Sequence, residues 1–199
     1  MAEARFAASH PKYQWEDISL VKSDGSDWAP HDLRIAQWCN HWFGKILRKE
    51  RPLPKSCPHL ALIGSANSGK TRLANHISTL VPTCFYVPDN GYMDGLLDQH
   101  ELVYFDDFNG SHMKYGDFKK FTGGSSQMLR LKGKPARPWN KNIPMIFTAN
   151  EAPYHWWNNI PIEHHVLDSR LFVVVIPDDE KVSLFDFKYG EQDIPDFLL

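Results

Sequence analysis

The chain has 199 residues, 42% hydrophobic and 23% charged, with a formal net charge of −2. This is ordinary globular composition, enough for one main domain with a core plus flanking pieces. It excludes a membrane span, because no apolar run approaches the roughly 18 residues one needs, and no secretory signal precedes the first charged stretch. Cys39, Cys57 and Cys84 are odd in number and far apart, so a disulfide framework is not expected and a reducing, intracellular compartment is.

Residues 1–29 are polar, punctuated by Trp and Pro, and read as an arm or linker. The segment 30–57 opens with a helical pattern: Ile35, Trp38, Trp42 and Ile46 recur every three or four residues, and Phe43 and Leu47 widen the stripe. Pro30 and Asp32 suit its first turn, Lys45, Arg48 and Lys49 its last, and Pro52 and Pro54 stop it. So aromatic a face either buries itself locally or meets a neighbouring subunit. Cys39 with His41 and Cys57 with His59 could suggest zinc. Each pair is separated by one residue, tighter than zinc-finger pairs, and helix positions two apart do not share a face.

The apolar run Leu60–Ile63 then leads into Gly64-Ser65-Ala66-Asn67-Ser68-Gly69-Lys70-Thr71, followed by Leu73, Ala74, Ile77 and Leu80 at helical spacing. Strand, G-x-x-x-x-G-K-T and helix is the context of a phosphate-binding loop. Gly64 and Gly69 let backbone N–H groups approach phosphate oxygens at a helix N-terminus, where the dipole favours anions. Lys70 reaches the β- and γ-phosphates, and Thr71 offers a hydroxyl to Mg²⁺. ATP with Mg²⁺ is therefore the expected ligand.

A short strand near Thr83–Val87 follows, then the strand of "HELVYFDDF", whose carboxyl end delivers Asp106 and Asp107. "KYGDFKKFTGG" reads as a short helix, "QMLRLKGKPARPW" as a strand, a basic turn and a return, "NIPMIFTAN" as a strand ending at Asn150, and "RLFVVVIP" as the last strand. Apolar strands alternating with helices predict an α/β domain with a mostly parallel sheet. Such sheets bind ligands at the carboxyl ends of their strands. Asp106 is assigned to the metal shell and Asp107 to the attacking water. Asn150 can bond the γ-phosphate or that water. Arg170 is either a local ion-pair partner of Asp168 or Glu163, or a finger reaching a neighbour's site.

The small net charge hides an asymmetry. Between Lys114 and Lys141 stand eight basic residues and one acid, Asp117, whereas residues 178–199 carry seven acids against Lys181 and Lys188. The basic block, which includes Arg130, Lys132 and Lys134, reads either as a nucleic-acid footprint or as a solvated face.

In order and approximate spacing, "GSANSGKT", "LVYFDDF", "LKGKPARPW", "IPMIFTAN" and "DSRLFVV" resemble the Walker A, Walker B, B′ hairpin, motif C and arginine-finger segments of superfamily 3 helicases. They are most similar to the replication initiators of circular single-stranded DNA viruses, and "DSRLF" also to those of parvoviruses. The resemblance covers about residues 58–177. It implies a P-loop NTPase of AAA+-like fold preceded by a short helical segment, a homo-oligomeric ring, commonly a hexamer, and ATP between subunits. The B′ hairpins would surround single-stranded DNA. Carried over, Lys70 and Thr71 are Walker A, Asp106 and Asp107 Walker B, Lys132 and Lys134 the hairpin contacts, Asn150 the sensor and Arg170 the finger. On this division 1–29 is an arm, 30–57 a possible oligomerisation element, 58–177 the ATPase and 178–199 an acidic tail. No membrane partner is implied, and the host nucleus is the expected location for a eukaryotic virus. The His-x-His pair and catalytic Tyr of a nicking domain are not found, so origin nicking is not expected. Two other readings stay open: an RNA-virus superfamily 3 ATPase acting on RNA, and a nucleotide-dependent assembly module that does not unwind.

Overall fold

The computed structural model describes residues 20–22, 28–47, 58–81, 83–158 and 160–187. Its centre is a five-stranded sheet built from β2 (His59–Ile63), β3 (Cys84–Tyr86), β4 (Leu102–Phe105), β7 (Met145–Ala149) and β8 (Leu171–Val175). The spatial order is β3-β4-β7-β2-β8 and every pairing is parallel. The expected α/β domain with a parallel sheet is therefore what the chain forms. Parallel strands covered on both faces need unbroken apolar runs, and β2, β4 and β7 are buried at every position.

Alternate residues face opposite layers. Leu60 and Leu62 pack with Ile35, Trp38 and Trp42 of α1 (Pro30–Leu47) and with Leu73 and Ile77 of α2 (Lys70–Thr79). Ala61 and Ile63 face the other layer, with Phe118 and Phe121 of α3 (Tyr115–Thr122) and with Trp156 and Trp157. Ile35, Trp38 and Trp42 of that stripe are thus buried within the chain's own core. Trp38 Nε1 and Trp42 Nε1 both donate to Pro58 O, at 2.8 and 2.9 Å, which fixes the helix to the start of β2. His59 is engaged at both ring nitrogens, donating from Nε2 to Thr122 O at 2.9 Å and accepting the Met145 N–H at Nδ1. Cys57, the expected last-turn residues Arg48 and Lys49 and the expected stop residues Pro52 and Pro54 lie outside the described residues.

Between α3 and β7, β5 (Gln127–Leu129) and β6 (Arg137–Trp139) form an antiparallel hairpin. Its tip turns at Gly133, whose φ of +63° is easy only for glycine and whose surroundings are open. Trp139 is buried at the hairpin base. The segments expected to be arm and tail contribute a second antiparallel pair, β1 (Leu20–Lys22) with β9 (Phe185–Phe187). A short helix, α4 (His164–Arg170), leads into β8.

Candidate functional site

Because β7 lies between β2 and β4, three chain segments converge at the carboxyl ends of the central strands: the loop after β2, the acidic pair after β4 and Asn150 after β7. The loop Gly64–Gly69 passes directly into α2, which begins at Lys70. Gly69 makes the turn at φ +88°, and a Cβ there would stand 3.1 Å from Val182 Cγ2. A side chain would therefore be strained by both backbone and space. Asn67 takes φ +67°, a state asparagine tolerates better than most residues.

Lys70 is buried and turns its ammonium back into the loop. It donates to Gly64 O at 2.8 Å, Ser65 O at 2.7 Å and Asn150 Oδ1 at 3.3 Å. Burial lowers its pKa, and the carboxylates of Asp107 and Asp106 oppose that shift. Asn150 completes a bridge by donating from Nδ2 to Asp107 Oδ1 at 3.3 Å. One amide thus joins the loop lysine to the second aspartate.

Asp106 Oδ1 collects three hydroxyls: Thr71 at 3.0 Å, Tyr104 at 2.6 Å and Thr148 at 2.6 Å. Burial alone would raise this carboxyl's pKa, but the hydrogen bonds from Thr148, Tyr104 and Thr71 outweigh it and hold the group below its ordinary value. The Tyr104 phenol moves the other way, raised first by burial and then by its bond to Asp106. Asp107 adopts φ +47°, unusual for a residue with a Cβ, and its N–H donates to Thr148 Oγ1 at 2.9 Å. Thr148 and Tyr104 were not singled out in the sequence. Each reads there as one more residue of a buried strand; Tyr104 reaches Asp106 along its own strand, two residues away, whereas the pairing of β4 with β7 brings Thr148 to Asp106 and to the Asp107 N–H.

Lys70, Thr71, Asp107, Thr148 and Asn150 line a cleft of about 550 Å³ whose further walls include Arg72 and Lys181; Asp106 stands beside it, bonded to Thr71 and Thr148. Lys181 comes from the stretch after β8. That stretch is held against the loop by the Val182 N–H donating to Ser68 O, and against α1 by the Ser183 N–H donating to Asp32 Oδ1. His31 adds a contact with Glu180 at 3.2 Å. The cleft therefore offers an anion cradle of helix-terminal N–H groups, the cations Lys70, Arg72 and Lys181, and an adjacent hydroxyl and carboxylate. An oxygen pair of that kind suits a hard cation such as Mg²⁺, so the donor set fits the Mg²⁺ and triphosphate expected from the sequence.

Arg170 lies elsewhere. It immediately precedes Leu171, which is level with His59, the first residue of β2, whereas the loop follows the last residue, Ile63. At about 3.3 Å per residue the strand separates the two by roughly 15 Å. Neither acid suggested as its partner is paired with it: Asp168 accepts the Tyr154 hydroxyl, and Glu163 pairs with Lys119. Arg170 Nε is buried without a hydrogen-bond partner, and Nη2 would stand 2.9 Å from a Cβ placed on Gly123.

Part of the basic block is neutralised locally. Arg137 and Lys141 approach Asp98, and Lys134 stands 3.8 Å from Asp94. The Arg130 guanidinium carbon stands 4.8 Å from the centroid of the Tyr92 ring. The Lys132 backbone N–H is held by Asp94 at 2.8 Å, with its side chain exposed at the hairpin tip.

No family model and no curated protein matches the chain. Among solved structures it is similar to the crystal structure of JCV helicase bound to a thiazolopyridine compound. The identity is 15% and the TM-score 0.43 over 78% of this chain, which spans about half, 47%, of that one. No helix among the described residues is long and apolar enough to cross a membrane.

Proposed function

We propose that the chain is an ATP-driven DNA helicase or translocase domain of superfamily 3 type, from a viral-type replication initiator. It would hydrolyse ATP between the subunits of a homo-oligomeric ring, expected to be a hexamer, and move on single-stranded DNA. The observation that carries this reading is the Lys70–Asn150–Asp107 bridge beside the Thr71–Asp106 pair. It combines a phosphate cradle, a metal-binding pair and a water-orienting carboxylate joined by an amide, in one cleft.

In this reading Lys70 leaves the loop carbonyls for the β- and γ-phosphates when ATP enters. Thr71 and Asp106 would hold Mg²⁺, which supplies charge neutralisation when bound. Asp107 accepts a hydrogen bond from the attacking water, and Asn150 reports the γ-phosphate to it. Arg170 is too far from its own cleft to assist there. Its position and its unpaired Nε favour service in a neighbour's cleft, where a planar cation stabilises charge on the transferring phosphoryl group. The exposed hairpin tip, with Arg130, Lys132 and Lys134, meets the DNA backbone. The test is ATP turnover by the purified chain with and without single-stranded DNA, and with single-stranded RNA in parallel. Stimulation by DNA is expected. Stimulation by RNA alone would move the substrate to RNA, and turnover indifferent to both would leave an assembly ATPase.

A further inference from the structure

A second cavity, of about 240 Å³, opens where β5 meets the segment after Asp107. It is smaller than the ~300–1,000 Å³ of ordinary small-molecule clefts, so it admits one ring system and not a whole nucleotide. His112, 8% exposed, lines it, with the imidazole stacked on Phe108 at 5.4 Å and 17°. Neither ring nitrogen of His112 has a hydrogen-bond partner, and neither has Nε2 of Gln127, which reaches the same cavity from β5. Buried polar groups are normally paired, so two unpaired side chains converging from separate elements mark a place where a partner is missing. The apolar wall includes Met113 and Met128, and Met128 is 59% exposed. Thioethers are polarisable and contact aromatic rings well. The charged residues of the lining are Lys114, Arg130 and Asp117, all exposed, so the two cations outnumber the one acid.

We infer that this cavity binds one unstacked nucleobase of the strand whose phosphates the hairpin holds, an inference that rests on the proposed nucleic-acid function. The chemistry matches on each side. A base edge carries donors and acceptors in one plane, and a neutral imidazole and a primary amide each present both. The base face meets Met113 and Met128, and the flanking phosphates meet Lys114 and Arg130. The segment from Asp107 to His112 joins this cavity directly to the ATP cleft, so an occupied base site bears on the carboxylate that orients water.

The test compares two fluorescent strands of equal length, oligothymidylate and a fully abasic sugar-phosphate chain, binding to the full chain with a non-hydrolysable ATP analogue. The protein is expected to bind the base-bearing strand about tenfold more tightly. His112→Phe keeps the stacking and removes the nitrogens, and Gln127→Leu removes the amide at a half-buried site. Each should bring oligothymidylate affinity close to the abasic level while leaving abasic binding in place. Equal binding of both strands by the unaltered protein, with both lost in Lys132→Ala/Lys134→Ala, overturns the base site and keeps the proposed function. Discrimination that survives both cavity variants also overturns it, by placing base contact elsewhere. If neither strand binds, the proposed function and the base site fail together.

Discussion

Replacing Thr148 by Val keeps the side chain's shape in the buried strand β7 and deletes one oxygen. That oxygen donates to Asp106 Oδ1 at 2.6 Å and accepts the Asp107 N–H at 2.9 Å. A hydrogen bond to a charged group contributes about 1.5–3 kcal/mol. Asp106 is exposed to solvent, so the low end applies here. An unsatisfied amide adds about 1 kcal/mol, so Thr148→Val should lose about 2–3 kcal/mol of stability. The effect on turnover should be larger. Asp107 is held at φ +47°, a state costing of order 1–3 kcal/mol that persists only when its surroundings enforce it. Without Thr148 Oγ1 the carboxylate relaxes, and a displacement of about 1 Å can cost about 100-fold in rate. Urea denaturation and steady-state ATPase measurements check both parts. A kcat fall of about 100-fold, with KM for ATP little changed, is expected. Stability within about 0.5 kcal/mol together with unchanged kcat would refute the claim that Thr148 positions the acidic pair.

Asp107→Asn should retain Mg²⁺·ATP but hydrolyse it very slowly, because an amide cannot accept the water's proton; normal turnover would move that role to Asp106. Arg170→Ala should lower turnover by about 10³–10⁵ while nucleotide binding persists. Mixed with Lys70→Ala under assembly conditions, it should recover some ATPase, and no recovery despite verified co-assembly would count against a finger in trans. Lys132→Ala with Lys134→Ala should flatten the salt dependence of single-strand binding by roughly 0.7 per lost phosphate contact, and an unchanged slope would reduce the hairpin to a solvated face. Burial pushes the His59 imidazole down to about 4, against the opposing effect of its bond to Thr122. The unfolded chain binds that proton near pH 6.5. Stability is therefore full above about pH 6.5 and falls by about 3 kcal/mol in all as pH drops towards 4. His59→Gln should flatten that slope in urea titrations at successive pH values, and an identical slope would assign the acid sensitivity to other groups.

The sheet was legible because its strands are unbroken apolar runs, and the loop because glycines, lysine and threonine must stand at fixed spacing. Asp106, Asp107 and Asn150 were legible as strand-terminal polar residues. Their grouping was not, because the insertion of β7 between β2 and β4 is a property of sheet order, which no local pattern encodes. Thr148 was hidden for the same reason, and Tyr104 because hydroxyl-bearing residues occur in buried strands without any role in chemistry. The covering of the loop by Val182 was also invisible, because the surrounding sequence is acidic and reads as solvated. The fate of the α1 stripe depended on how α1 docks, which the indole bonds to Pro58 O decide.

The stretch after β8 closes over the phosphate loop through contacts between residues about 150 positions apart, His31 with Lys181 and Asp32 with Ser183. A nascent chain that has emerged only as far as β7 already contains Lys70, Asp106, Asp107 and Asn150, but its loop still lacks the wall that Val182 provides. Contacts of such sequence separation form late, after shorter-range structure has met most of the entropic cost of closure. Closure of this cleft is thus tied to synthesis of the stretch after β8, and a copy cut before Val182 would present the Gly64–Gly69 loop without that wall.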